Sequence, residues 1–166
     1  LQVAAAGGDA ALYDKFLARV AAPGTTPEEY YRFFNTLAAF RDPALVSRTL
    51  MYAVSPDVRS QDTPLLLGQL LGSPASQDAA WTFVKNQWPV ITSKLGVFQG
   101  VPNVVGALGA FCSTDRAAEV TAFFKANPVP PAARILQQSI ERITSCAAVD
   151  TRQSPAFAKW LDSKKP

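Results

Sequence analysis

Any catalytic chemistry in this chain would have to proceed without histidine, because none of its 166 residues is one. That composition excludes an HExxH zinc site, a Ser–His or Cys–His catalytic pair and the most common general base. The adjacent carboxylates Glu28 and Glu29 follow Thr26 and Pro27, a typical helix start, where negative charge is favourable. Neighbouring positions on a helix point in different directions. We therefore predict no catalytic, metal-binding or cofactor-binding residue in this chain.

Two cysteines, Cys112 and Cys146, are the other residues with reactive side chains. Each follows an apolar helical run, and one predicted helix separates the two runs. In an alternating up-and-down arrangement both cysteines then lie at the same end, so a disulfide is feasible. Two buried free thiols are an equal alternative. A bridge would place the protein outside the reducing cytosol, secreted or periplasmic, whereas free thiols would be compatible with the cytoplasm.

Basic residues give the chain a net charge of +3 and a pI near 9.0. The 16 lysines and arginines are scattered through the sequence, so we expect no nucleic-acid binding. Arg134, Arg142 and Arg152 could line a concave site for an anion or a carboxylate, and a solvated face is the alternative. The apolar runs are shorter than the roughly 18 residues of a membrane-spanning helix. We expect no membrane contact from this segment.

The elements that would position these residues are organised around the stretch 79–96. Trp81, Val84, Trp88, Ile91 and Leu95 recur there at steps of three and four, which predicts a helix with one buried stripe. The proline after the second tryptophan predicts a kink or a break into two helices, and the glycine at position 96 predicts the end. Helices on both sides are needed to cover two tryptophans.

Turn and capping signals divide the rest of the chain into further helices. Asp9, Thr26, Asp42, Asp62 and Ser113 are predicted N-caps. One predicted helix follows Asp9 and another follows Ser113. The other predicted helices run from Pro27 to about Phe40, from Ala44 to about Val54, from Thr63 to Leu71, from Pro102 to Phe111, from Ala132 to about Ala148 and from Ser154 to Ser163. In the helix after Ser113, Arg116, Glu119 and Lys125 are expected to face water. The last helix is expected to bury Phe157, Trp160 and Leu161.

These helices predict an all-α protein, since no segment shows the alternation of a strand between hairpin turns. The segment 9–17 aligns with 42–50 at a period of 33 residues, which matches Asp9 with Asp42 and Leu17 with Leu50. That period is typical of helix–turn–helix repeats. We therefore predict a single domain, 1–166, built as an α-solenoid of antiparallel helix pairs, a superhelix of the HEAT or armadillo type.

Four sequence blocks in the C-terminal half resemble the last domain of zinc aminopeptidases of the alanyl, puromycin-sensitive and endoplasmic-reticulum type. The run AWTFVKNQW at 80–88 is similar to that family's AWxFxKxNW run. It is followed by FCSTDRAAEVTAFF at 111–124, by QQSIERI at 137–143, and by Trp160-Leu161. The resemblance identifies a signature core made of Trp81, Phe83, Trp88, Phe111, Phe123, Phe124 and Trp160.

The resemblance implies a noncatalytic, HEAT-like C-terminal part of a longer zinc-dependent aminopeptidase. There it would close over the peptidase domain and shape the chamber for the peptide substrate, while zinc would be bound by the peptidase domain. The alternative is a freestanding helical-repeat scaffold that binds a protein partner. Because the family's solenoid begins upstream, the first helix is expected to have an uncovered apolar face and to self-associate.

Overall fold

The computed structural model describes residues 1–96 and 100–164; residues 97–99 and 165–166, the last two of the predicted domain, lie outside the described residues. All regular secondary structure in the described ranges is helical, so the all-α prediction is confirmed. The α-helices are α1 (Gln2–Ala6), α2 (Ala10–Ala21), α3 (Pro27–Leu37), α4 (Pro43–Val54), α5 (Thr63–Gly72), α6 (Gln77–Asn86), α7 (Trp88–Leu95), α8 (Val101–Ala107), α9 (Thr114–Ala126) and α10 (Ala133–Asp162). In these described parts, no helix is both long enough and apolar enough to cross a bilayer.

Four of the five predicted N-caps are confirmed. The side chains of Asp9, Thr26, Asp42 and Ser113 each accept a hydrogen bond from a backbone N–H in the first turn that follows, at 2.8–3.2 Å. These bonds satisfy donors that the helix itself leaves unpaired. Asp62 is the exception, because its side chain makes no capping bond to α5.

The predicted break in the central stretch is confirmed. α6 ends at Asn86, α7 begins at Trp88, and Pro89 lies in the first turn of α7, where its missing N–H costs no helical hydrogen bond. Gly96 follows α7 with a φ of 65°, a conformation that favours glycine. The predicted stripe is buried across both helices at Trp81, Val84, Trp88, Ile91 and Leu95.

Helices that are close in sequence pack against one another. α2 packs on α3 and α4 packs on α5, while α5 also contacts α6 and α8. α8 and α9 both pack on α10. Helix α8 is buried at Val101, Val104 and Val105. The largest fully buried side chains of the core are Trp81, Tyr13, Phe34, Phe40 and Phe111.

The C-terminal region differs from the prediction of two helices. α10 is one continuous helix of 30 residues with Pro155 inside it. Proline removes a helical hydrogen bond, but this half of α10 is exposed, so the carbonyl that loses its partner can bind water. The Ser154 hydroxyl also donates to the Asp150 carboxylate one turn earlier, at 2.5 Å. Local side-chain bonding and hydration therefore let the helix continue through a residue that usually ends one.

Candidate functional site

An aromatic cluster joins α6, α7 and α9. The Trp81 ring lies edge-on to Phe111 and Phe123, with centroids 6.0 and 5.3 Å apart. Trp88 contacts Phe123 at 5.6 Å and Phe124 at 5.4 Å, again edge-on. Such pairs contribute roughly 0.5–1.5 kcal/mol each beyond the burial of their area. The cluster therefore fixes the relative positions of three helices.

Two aromatic residues of the signature core lie outside this cluster's buried centre. Phe83 is partly buried and packs against the core. Trp160 is 54% exposed, so its expected core position is wrong, and the expected burial of Phe157 and Leu161 is wrong as well. The reason is that α10 extends past the helices that cover its first half.

A chain of ion pairs connects α6 to α9 beside the aromatic cluster. The Lys85 ammonium donates to the Glu119 carboxylate, which also accepts from the Arg116 guanidinium at 2.6 Å. Arg116 reaches across to Asp78 as well. The expectation that Arg116 and Glu119 face water is therefore wrong, because this face of α9 lies against α6. Networks of this kind are worth more than isolated surface pairs.

The ionisation of Glu119 follows from these contacts. Burial would raise the pKa of the Glu119 carboxyl, but hydrogen bonds from Lys85 and Arg116 outweigh that cost and lower the pKa below its ordinary value. Burial opposes the charge of Arg116 too, and its bonds to Glu119 and Asp78 overcome this and raise the guanidinium pKa. Glu119 and Arg116 therefore both stay charged at neutral pH.

A second polar cluster surrounds Asp62, whose side chain is 1% exposed. The hydroxyls of Tyr30 and Tyr31 donate to its two carboxylate oxygens at 3.2 and 3.0 Å. Arg59 donates from Nε at 2.7 Å, and its guanidinium lies 5.0 Å from the Tyr30 ring centroid. Burial and the Asp62 carboxylate raise the pKa of Tyr30 to about 12. Asp62 thus joins α3 to the turn before α5 rather than capping α5.

A disulfide joins Cys112 to Cys146, with the Cα atoms 5.0 Å apart. Both cysteines are exposed, so the alternative of two buried free thiols is wrong. The bond ties the segment that precedes α9 to the middle of α10. It lies close to the point where α10 leaves the covered part of the fold.

The three arginines considered for an anion site do not converge. Arg134, Arg142 and Arg152 are all exposed on α10. An α-helix turns by about 100° per residue, so Arg134 and Arg152 share a face of α10, although they lie about 27 Å apart along it. Arg142 is rotated about the helix axis by about 80° from both. The aliphatic stem of Arg142 covers Gly109, where an added Cβ would lie 3.1 Å from its Cδ atom. This spacing favours a solvated face over one site for a carboxylate.

The aromatic cluster and the two polar clusters bind helices to one another. Across residues 1–96 and 100–164, histidine, cysteine, aspartate and glutamate side chains form no group of three that could hold a metal ion.

Residues 1–145 match the family described as the ERAP1-like C-terminal domain. The chain belongs to this family. As an ERAP1-like C-terminal domain it includes the aromatic cluster, the Glu119 network and Asp62 within the matched range, while the exposed end of α10 lies beyond it.

Plant aminopeptidases are among the relatives of this domain. Over 117 residues, 70% of the chain, it is 32% identical to "Aminopeptidase M1" of Arabidopsis thaliana, of which it covers 13%. Over 144 residues, 83% of the chain, it is 32% identical to "Aminopeptidase M1-A" of Oryza sativa subsp. japonica, of which it covers 14%. The chain thus spans about one seventh of the length of these relatives.

One relative overturns the expectation about the cellular compartment. The domain is 27% identical over 136 residues, 81% of the chain and 14% of the relative, to "Aminopeptidase 2, mitochondrial" of Saccharomyces cerevisiae. The disulfide between Cys112 and Cys146 is present, yet the family includes a protein named for an intracellular organelle. The expectation that a disulfide makes this chain secreted or periplasmic is therefore wrong.

Sequence reasoning missed both polar clusters. It read Asp62 as a cap and gave no role to Tyr30, Tyr31 or Arg59. One signal was available: Asp62 follows Tyr30 by 32 residues, and Glu119 follows Lys85 by 34, both close to the repeat period of 33. Residues one period apart lie on neighbouring repeats when repeats stack.

Proposed function

We propose that this chain is the noncatalytic C-terminal helical domain of a longer zinc-dependent aminopeptidase. The observation that carries the proposal is the family match over residues 1–145, together with relatives named aminopeptidases, of which the matched part covers 13–14%. The domain closes over the peptidase domain and shapes the chamber that receives the peptide substrate. Closure of this kind excludes water and positions the substrate.

An α-solenoid architecture suits this role, and the spacing of contacts between helices supports it. Asn35 bonds to Gln69 and Ser139 bonds to the Val105 carbonyl, in both cases 34 residues apart. The same separation holds for the disulfide, for the pair of Arg48 with Asp14, and for that of Lys85 with Glu119. Several other side-chain contacts between helices join residues 28–39 apart. Separations grouped around one value are expected where each repeat contacts its neighbour. Such a stack offers an extended concave surface.

The zinc of the proposed enzyme belongs to a part of the polypeptide outside this chain, because catalytic zinc sites require histidine ligands that this chain lacks. The residues here would act on the reaction indirectly. They hold the helices that face the peptidase domain at fixed positions, and the two polar clusters and the disulfide stabilise that arrangement.

The first test is to read the complete gene and then assay the complete polypeptide. We expect an in-frame HExxH followed by a downstream glutamate, bound zinc, and release of N-terminal residues from peptides. A form that ends before residue 1 of this chain should still hydrolyse a small aminoacyl chromogenic substrate. Its activity on longer peptides, relative to that substrate, should change by about tenfold or more.

Two results would contradict the proposal. A gene that lacks the zinc motif would make the chain a freestanding helical scaffold. A truncated enzyme with bound zinc and an unchanged preference for peptide length would leave the peptidase assignment intact but remove the chamber role. A form that loses its zinc on truncation would be tested instead by adding this chain back to restore the preference for length.

A further inference from the structure

The second half of α10 has an apolar face that no described part of the chain covers. Val149, Phe157, Trp160 and Leu161 are 44–58% exposed there. The rings of Phe157 and Trp160 stack on each other, with centroids 5.9 Å apart. On a helical projection these four side chains fall within about 120° of one another. The face continues the side of α10 that carries Cys146.

A partner would stabilise this half of α10. Its residues from 148 to 162 are all exposed, and Pro155 lies in the middle. Helices of about 15 residues are marginal in water, and an internal proline costs roughly 3 kcal/mol more. Packing of the apolar face against another surface would supply the missing stabilisation.

Charged residues on this face are arranged symmetrically about its central aromatic residue. Asp150 and Phe157 lie seven residues apart along one line of α10, and Lys164 follows at the same interval, in the turn two residues past the end of the helix. Two antiparallel copies related by a twofold axis at Phe157 place Asp150 of each opposite Lys164 of the other. The face is therefore complementary in charge to itself, as an isologous interface requires.

A groove beside the aromatic residues completes the match. It has a volume of about 330 Å³ and is lined mainly by apolar surface from the disulfide and one side of α10. Its walls include Gln153 and Ser154. The same twofold axis places Leu161 of the second copy opposite Gln153 and Trp160 opposite Ser154. Each copy thus presents both the projecting side chains and the groove that receives them.

We infer that the exposed half of α10 is a self-association surface, on which a second copy of this chain packs antiparallel with Phe157 at the twofold axis. This goes beyond the proposed aminopeptidase role and does not depend on it. The apolar area is smaller than the roughly 800 Å² per partner of a standard interface. The dimer is accordingly weak, with a dissociation constant on the order of 10 µM or higher.

Sedimentation equilibrium of the 166-residue chain, from about 10 µM to about 1 mM, tests the dimer. Phe157→Ser and Trp160→Ser should each raise the dissociation constant about tenfold or more. Both side chains are exposed, so circular dichroism should show an unchanged fold. Met51→Ser, which removes an exposed apolar side chain from α4, is the matched control and should leave the constant unchanged.

Charge reversal tests the antiparallel register. Asp150→Lys and Lys164→Asp should each weaken the dimer several-fold, because each puts like charges opposite one another twice. An equimolar mixture of the two variants should associate about as well as the unmodified chain, since every contact in the mixed dimer again joins opposite charges. Lys159→Asp makes the same charge change on the far side of α10 and should have little effect.

Three outcomes would overturn the inference. A chain that stays monomeric at about 1 mM has no such surface. A dimer that Val3→Ser abolishes and Trp160→Ser does not uses α1 instead. If the 166-residue chain is monomeric and Trp160 becomes protected from hydroxyl-radical labelling in the complete polypeptide, a neighbouring domain covers this face instead.

Discussion

The Tyr31 hydroxyl lies 3.0 Å from the Asp62 carboxylate and joins α3 to the residue immediately before α5. Tyr30 and Arg59 donate to the same carboxylate, which is almost fully buried. One acidic side chain thus satisfies three donors from two parts of the chain. A buried polar group thus connects α3 with the turn before α5.

Replacing Asp62 should destabilise the fold strongly. Asp62→Ala removes the acceptor for both tyrosine hydroxyls, so we expect the free energy of unfolding to fall by about 2–4 kcal/mol. Urea denaturation followed by circular dichroism measures the change. Asp57→Ala, on an exposed residue of the same turn, should change the value by less than about 0.5 kcal/mol. Equal effects of the two substitutions would refute the structural role of Asp62.

Glu119 should make stability depend on pH in the acid range. The pKa of Glu119 is lower in the folded chain than the ordinary 4.5, because Lys85 and Arg116 donate to it. Its contribution is therefore present above pH 4.5 and is lost as the pH falls through the lower, folded-state pKa. Urea titrations at a series of pH values should show a shallower acid slope for Glu119→Gln than for the unmodified chain. An acid slope that Glu119→Gln leaves unchanged would contradict this prediction.

Trp81 and Trp160 should respond very differently to the same substitution. Trp81 is fully buried among Phe111 and Phe123, so Trp81→Ala should cost about 3–5 kcal/mol of unfolding free energy. Trp160→Ala should cost less than about 0.5 kcal/mol at concentrations that keep the chain monomeric. Thermal unfolding of dilute samples compares them directly. Comparable losses for the two variants would show that the end of α10 is covered after all.

Breaking the disulfide should loosen the attachment of α10. The bond closes a segment with a sequence separation of 34, and its loss should cost about 2–4 kcal/mol. A double variant, Cys112→Ser with Cys146→Ser, should unfold at a lower urea concentration than the oxidised chain. Reductant should shift the unmodified chain to the same midpoint and leave the variant unaffected. An unmodified chain that is insensitive to reductant would contradict this prediction.

Local features of the fold were predictable because the interactions behind them are local. Asp9 and Ser113 cap helices through bonds to residues three positions away, which a short stretch of sequence specifies completely. Pro89 divides α6 from α7 for a similarly local reason, the missing backbone N–H. The family resemblance, which rested on four motifs in the C-terminal half, was confirmed by a match over residues 1–145, which includes three of them.

Tertiary structure decided the properties that depend on which elements meet. Asp62 has the sequence context of a cap, but two tyrosines 31 and 32 residues away supply better donors. Trp160 continues an apolar pattern that predicts burial, yet burial needs a covering element, and none of the described residues provides one at that end of α10. Cys112 and Cys146 could equally have been free thiols until packing brought their Cα atoms within 5.0 Å. Periodicity identifies the apolar face of a helix, whereas only the packed chain determines whether another surface covers it.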